Sequence, residues 1–389
     1  MTSSPRGARF TPAEGLLSGV LVVAARASGD RAAAAALSHL RGVSTFGLGG
    51  PALLRQGMHP LADSAAESSG VPQTGSGALA TLQAWRAVLK AARERRPRAA
   101  LIVNHTEFSA RIARRLHAMG TKVLWYGAPA AWAHPASFLA AIQGGVHAMA
   151  LTLPFEEALW KTDGFDARYV GHPSFETPTL ERDAARTALG MTPYAPAIGI
   201  LLGRFPHQVH RLLDPILLAF DRLQRKLASI DARVLLSPDL PPTAREWVAT
   251  RCRARNVDCC GIDAATGATR VLRAFDVAVC APGAAALEAA LCRAVPVVTH
   301  RVGLAAAVAN RWTFRPPGLS LPNMLLGRRV FPELAQEDCQ ADRIADAVEG
   351  ALDRRESLVR ACGDVEAAFG AARSPSRTVA QWLSTWLGA

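Results

Sequence analysis

The sequence predicts an α/β protein made of two doubly wound domains that face each other across a cleft. Three observations predict it. Short, β-branched, nearly continuous apolar runs recur; each ends in Gly, Pro or a polar turn; and each precedes a longer stretch of helical periodicity. Strands buried on both faces read this way, because helices cover both sides of a parallel sheet. At 389 residues the chain is too long for one ordinary domain and suits two.

Taken in order, the first half offers strands at Leu21–Ala25, Ser44–Leu48, Ala100–Asn104, Lys122–Tyr126 and Ala148–Leu153. The second half offers Ala197–Leu202, Arg233–Ser237, Val277–Cys280 and Pro296–Thr299. Helical patterns lie between them at Leu79–Arg96, Ser109–Met119, Gln208–Leu227 and Ala284–Cys292, and two more follow at Asp342–Ala351 and Asp364–Ala372. Strand, helix, strand in repetition is the signature of parallel α/β sheets. Pro173 to Pro178 breaks regular structure, which divides the chain into an arm at 1–15, a first Rossmann-like domain at 16–175 and a second at 176–355. A final segment at 356–389 carries Trp382 and Trp386 one helical turn apart, an apolar stripe that must pack on something, and returns to the first domain.

Composition narrows the partners. Half the residues are apolar and a fifth are charged, which supports a buried core. The net charge of +12 points to a phosphate-bearing partner or an anionic membrane surface, with an Arg-rich genome composition as the competing source. Zinc-finger spacing, an RNP-type aromatic motif and an arginine-rich tail are all absent, so nucleic acid is not expected. Seven cysteines without a C-x-x-C pair argue against a disulfide framework or a structural zinc site. The apolar run Leu16–Ala25 reads as a first buried strand rather than a signal peptide, and no run is long enough to cross a membrane.

Three strand-to-turn junctions can carry chemistry. Gly283 and Ala284 follow the strand ending at Cys280 and open a helix of small residues, where free backbone N–H groups stabilise a diphosphate. Glu288, a turn into that helix, can accept ribose hydroxyls; the same Gly-Ala-rich pattern also simply starts a tightly packed helix. Gly203 and Arg204 end another strand, placing a guanidinium where it offsets charge on a leaving diphosphate, or leaving it as a surface arginine. Asn104, His105 and Glu107 follow the strand at Ala100, where an imidazole or carboxylate can serve as general base for an acceptor hydroxyl. Glu107 can equally favour the first turn of a helix, and His105 can be an ordinary loop residue.

Longer motifs add a resemblance. Ala24 to Asp30 resembles the opening A-G-E-x-S-G-D of lipid-A-disaccharide synthases, and Phe46 to Pro51 follows as it does there. Val123–Tyr126 with Pro129 and Trp132, Leu153-Pro154-Phe155-Glu156, Val170-Gly171-His172-Pro173, Leu287–Leu291, Leu321-Pro322-Asn323, Leu326-Gly327-Arg328 and Pro332–Asp338 continue the likeness in order. The resemblance implies the fold called GT-B. It implies transfer of 2,3-diacylglucosamine from UDP to 2,3-diacylglucosamine 1-phosphate, with inversion, release of UDP and no cofactor or metal. It further implies diphosphate contacts from Gly283 and Ala284, a ribose or uridine contact from Glu288, and nucleotide-side roles for Asn323, Glu333 and Gln336. Asp30 of the opening motif joins Asn104, His105 and Glu107 as a catalytic candidate. The protein would sit peripherally on the inner face of the cytoplasmic membrane, where acylated substrates reside, and a homodimer is compatible with the family.

Departures from the family pattern cluster at the same junctions. Arg26 stands where the family has Glu in its opening motif, reversing a charge beside the Gly-rich turn that runs to Asp30. Asn104 and Glu107 stand where D-A-P-D-F-N has its two Asp residues, and an amide cannot take a proton as a base. The P-G-S-R-x-x-E loop reads Leu202 to Gln208, with the Arg moved by one position, and Pro282 and Ala284 replace the Ser and Thr of S-G-T. Asp63 to Gly77 is rich in Ser, Gly and Ala where the family carries an apolar, membrane-seeking segment. Two readings follow: a transferase in which Glu107 or His105 supplies the base and Arg204 the diphosphate charge, or a catalytically weak relative that holds a nucleotide-sugar or lipid.

Overall fold

The structure, a computed structural model, describes residues 17–24, 26–61, 75–104, 107–133, 136–161, 165–227, 229–303 and 318–388. The first half runs β1 (Leu17–Ala24), α1 (Arg26–Leu37), β2 (Val43–Leu48), α2 (Pro51–Arg55), β3 (His59–Pro60), α3 (Gly75–Arg95), β4 (Ala99–Val103), α4 (Glu107–Ala118), β5 (Lys122–Tyr126), α5 (Ala136–Gln143), β6 (Ala148–Leu151), α6 (Glu156–Trp160) and β7 (Asp166–Tyr169). The second half continues with α7 (Arg182–Ala188), β8 (Ala197–Leu201), α8 (Pro206–Lys226), β9 (Asp231–Leu236), α9 (Pro242–Arg253), β10 (Asp258–Gly261), β11 (Val277–Cys280), α10 (Ala284–Leu291), β12 (Val295–His300), α11 (Leu321–Leu326) and β13 (Glu333–Ala335). Three helices close the chain: α12 (Ala341–Asp353), α13 (Arg355–Ala367) and α14 (Pro375–Leu387).

These strands form two separate parallel sheets, ordered β3-β2-β1-β4-β5-β6-β7 and β10-β9-β8-β11-β12-β13. Strand order therefore reverses between β1 and β4 in one sheet and between β8 and β11 in the other. In open α/β sheets the crevice outside such a reversal is where ligands bind. Every residue of β4 and β8 is buried, which explains why both read as uninterrupted apolar runs.

All nine expected strands are present. Four more, β3, β7, β10 and β13, escaped the sequence reading, and they are the four sheet edges. An edge strand has one neighbour and a partly exposed face, so it needs no apolar run; each of the four is largely exposed or half-buried.

Two local expectations are corrected. The helix expected at Asp364–Ala372 lies earlier, at α13, where Leu358, Ala361, Cys362 and Val365 make the buried stripe; Gly370, at φ +60°, sits in the left-handed turn beyond it. The segment from Arg26 to Asp30, read as a Gly-rich turn, is already the first turn of α1. Gly29 permits that helix to lie close over the end of β4, since a Cβ there would stand 2.9 Å from the Asn104 amide nitrogen.

The chain returns as expected. In α14, Val379, Trp382, Leu383 and Leu387 share one core with Val20, Ala33 and Leu101, and Trp386 packs on its margin. The aromatic stripe is thus covered by the chain's own first sheet. The outgoing and returning segments cross at Gly171, where φ is +100° and a Cβ would stand 2.3 Å from the Ala372 carbonyl oxygen. Among the described residues no helix is long and apolar enough to cross a membrane. The Ser-, Gly- and Ala-rich stretch expected to replace a membrane-seeking segment falls outside the described side chains.

Candidate active site

A cavity of about 340 Å³ opens between the two sheets, at their carboxyl ends. Ser28 and Arg31 of α1, Asn104 after β4 and Thr152 after β6 reach it from one side. His172 and Ser174 line its floor, and Ala284 and Glu288 of α10 close it from the other side. Three of the residues expected from sequence, Asn104, Ala284 and Glu288, therefore share one cavity.

Asn104 is held by its surroundings. Its φ of +61° is a left-handed conformation that Asn tolerates better than most residues. The amide lies between two glycines, with Gly127's missing Cβ 2.8 Å from its oxygen and Gly29's 2.9 Å from its nitrogen. The nitrogen donates to Ser28 Oγ at 3.3 Å. His105 lies outside the described residues. Glu107 begins α4, and its side chain is likewise outside them.

On the opposite wall, Gly283 at φ +106° precedes α10 and, having no side chain, does not itself cap the helix. The first N–H groups of a helix are a general anion-binding feature. Burial pushes the Glu288 carboxyl up, opposed by the charge of Arg31 and a hydrogen bond from Ser174. Gly203, at φ +87°, backs directly onto this loop: a Cβ there would stand 3.4 Å from that of Ala281 and 2.7 Å from the Gln208 side-chain oxygen. Arg204 follows, stacked on Phe205 at 4.7 Å from the ring centre. Burial, then the neighbouring Arg26 charge, lowers its guanidinium to about 10.

Other expected site residues have structural partners instead. Asp30 is buried and accepts backbone N–H groups of Gly50, Ala52 and Leu53 at 2.7–3.2 Å, so its carboxylate caps α2 and is not placed as a base. Asn323 is completely buried, and its amide is fully used: it donates to Phe331 O and Glu333 Oε1 and accepts from the N–H groups of Val330 and Phe331. Glu333 in turn accepts from Leu319 N–H, Ser320 N–H and Ser320 Oγ–H at 2.7–3.0 Å. The Gln336 side-chain oxygen accepts Val302 N–H at 2.8 Å, from a backbone φ of +51°. These three build the loops behind α10; α11 packs on that helix. The nucleotide-side roles of Asn323 and Glu333 are corrected to scaffold roles, because a buried, saturated amide or carboxylate has nothing left for a ligand. Gln336 is half-buried and paired through its oxygen alone, so that argument does not reach it.

The structure adds residues that the sequence did not single out. Arg31 donates to Ala264 O across the cleft at 2.9 Å, and Asp239 accepts Ala27 N–H at 3.0 Å, capping α1 from the other domain. His172 accepts Ser174 N–H through Nδ1, and burial lowers its imidazole to about 4. The V-G-H-P motif was a usable signal for His172; nothing in the sequence marked Asp239. Among the described residues no cluster of three or more His, Cys, Asp or Glu is placed to hold a metal ion.

Known proteins share this architecture. The S. aureus MnaA-UDP co-structure superposes with a TM-score of 0.66 at 10% identity, covering 95% of this chain and 96% of the other. UDP-GlcNAc 2-epimerase from Neisseria meningitidis, bound to UDP-GlcNAc, gives 0.62 at 10% identity, covering 94% and 99%. At such identities the likeness shows the fold alone, which is GT-B. Sequence relatives are nearer. A lipid-A-disaccharide synthase of Anaeromyxobacter sp. (strain K) is 34% identical over 94% of this chain and 96% of its own length. The corresponding protein of Myxococcus xanthus (strain DK1622) is 34% identical over 85% of this chain and 86% of its own. The profile of the lipid-A-disaccharide synthetase family matches residues 20–378. With a family match along nearly its whole length and relatives 34% identical, this chain belongs to the lipid-A-disaccharide synthase family and is a hexosyltransferase of lipid A biosynthesis.

Proposed function

We propose that the protein transfers 2,3-diacylglucosamine from UDP to the 6-hydroxyl of 2,3-diacylglucosamine 1-phosphate, with inversion at the anomeric carbon and release of UDP. The observation that carries this reading is the cavity at both strand-order reversals, walled by Asn104 on one side and by Ala284 and Glu288 on the other. Donor diphosphate lies against the N-terminus of α10, where helix N–H groups and the Arg204 guanidinium stabilise charge on the leaving UDP. Glu288 meets a ribose hydroxyl. The base is Glu107 or His105, beside Asn104, whose amide orients the acceptor rather than taking its proton. Charge stabilisation by Arg204 and the helix terminus serves the reaction without a metal or other cofactor.

The protein works as a peripheral protein on the inner face of the cytoplasmic membrane. The excess of twelve positive charges favours anionic lipid, and its acylated substrates reside there.

UDP release by purified protein, given UDP-diacylglucosamine with and without the acceptor, tests the reading. Acceptor-dependent release supports it, and Glu107→Ala against His105→Ala then separates the two bases. Absence of release together with absence of UDP binding would sink it.

A further inference from the structure

Arg26 and Arg204 enter the cleft from opposite domains. Arg26 opens α1 just beyond β1, and Arg204 lies just beyond β8, so each follows a strand at a reversal of sheet order. Both guanidiniums meet one ring, with Cζ of Arg204 4.7 Å and Cζ of Arg26 5.8 Å from the centre of Phe205. Among the described residues neither Nε has a hydrogen-bond partner, although both are buried. Arg26 also holds φ at +75°, a left-handed conformation unfavourable for its side chain and maintained by the surrounding fold.

The electrostatic balance is incomplete. Burial lowers the guanidinium of Arg26, and burial together with the Arg26 charge lowers that of Arg204. The acid facing both is Asp239, and one of its oxygens already accepts the Ala27 N–H. Two half-buried cations against one shared carboxylate leave positive charge that a bound anion would satisfy. Their shared contact with the Phe205 ring brings the two guanidiniums to one part of the cleft.

We infer that Arg26 and Arg204 form one two-domain clamp for a phosphate group of a substrate held in the cleft. The inference rests on the transferase reading for the identity of that substrate, though its geometry does not depend on it. Arg204 comes from the nucleotide-side domain and Arg26 from the acceptor-side domain, so a phosphate seated between them ties the domains together. Arg26 then acts in binding and closure rather than in proton transfer.

Calorimetric titration of the whole chain with UDP, uridine, inorganic pyrophosphate and glucosamine 1-phosphate tests this. The proteins are wild type, Arg26→Ala, Arg26→Lys and Arg204→Ala, each checked for an unchanged melting temperature. Loss of one charge-assisted pair predicts UDP and pyrophosphate affinities lower by about 10-fold or more in both alanine variants, with uridine affinity unchanged. Arg26→Lys, which keeps the charge and loses the planar fork, falls between, and it carries the comparison if Arg26→Ala does not fold. Weakened glucosamine 1-phosphate binding with UDP unaltered assigns the clamp to the acceptor's phosphate instead of the donor's. Unaltered affinity for all three phosphate ligands in both Arg26 variants overturns the clamp and leaves Arg26 as a strut on Phe205. Wild-type protein that binds pyrophosphate and not UDP would refute the transferase reading while leaving the clamp standing.

Discussion

Two regions on either side of α10 look alike in sequence and differ in kind. Behind the helix, Asn323 and Glu333 have their polar atoms paired with backbone groups of the loops at residues 318–331. In front of it, the buried Nε groups of Arg26 and Arg204 have no hydrogen-bond partner among the described residues, and the helix begins at a glycine N-cap, Gly283. The saturated region makes the wall, and the unsaturated one is where we propose that a phosphate binds. A polar residue in a family motif is therefore informative about binding only when the fold leaves its hydrogen bonds unfilled.

The largest effect expected from this contrast is on stability. Asn323→Ala removes a buried amide with four hydrogen bonds and orphans backbone groups of Val330 and Phe331; it should cost about 4 kcal/mol, read by urea denaturation. An affinity loss for UDP with no loss of stability would break the assignment of this residue to the scaffold. On the open side the pattern inverts. Arg204→Ala should lower kcat/KM by about 100-fold, some 3 kcal/mol of transition-state stabilisation, with little change in melting temperature.

Glu156 sharpens the contrast by pH. It accepts the N–H groups of Thr152 and Leu153, and burial raises its carboxyl from 4.5 to about 7. A folded-state value above the unfolded one means that the stability contributed by the neutral form is fully present below the unfolded value. That stability is lost as pH rises through about 7. Glu156→Gln should thus gain about 3 kcal/mol near pH 8 and almost nothing near pH 4, since each pKa unit is worth about 1.4 kcal/mol. Equal effects at both pH values would refute the burial account. His172, lowered to about 4, has the opposite sign: its contribution is present above its unfolded value and lost as pH falls through about 4.

The smallest effect concerns the seat of Asn104. Gly29→Ala places a methyl 2.9 Å from the amide nitrogen, the mobile end of a side chain, so the fold should lose only about 1 kcal/mol. Activity should fall several-fold because the amide must turn away. An unaltered rate would show that the orientation of Asn104 has no part in the reaction.

Much of this was legible. The nine central strands announce themselves, because a strand with helices on both faces must be apolar along its length, and Gly203 and Gly283 lie in the turns just beyond such strands, with Glu288 a turn into the helix that follows. The four edge strands were not legible, since one-sided pairing imposes no apolar run. The roles of Asp30, Asn323 and Glu333 were misread because a motif records that a residue type is required, and building a helix cap or a loop requires carboxylates and amides as much as catalysis does. Asp239 and Arg31 carry no local signal at all, for each acts on a segment more than 200 positions away.

By itself, then, the sequence determined the two parallel sheets, the helical return of the chain and which turns end the central strands, because periodicity and turn chemistry are local. Only the tertiary structure decided which polar groups were already satisfied and which charges from different domains stand side by side. Hydrogen-bond saturation and electrostatic neighbourhood depend on three-dimensional proximity, and chain order does not encode it locally.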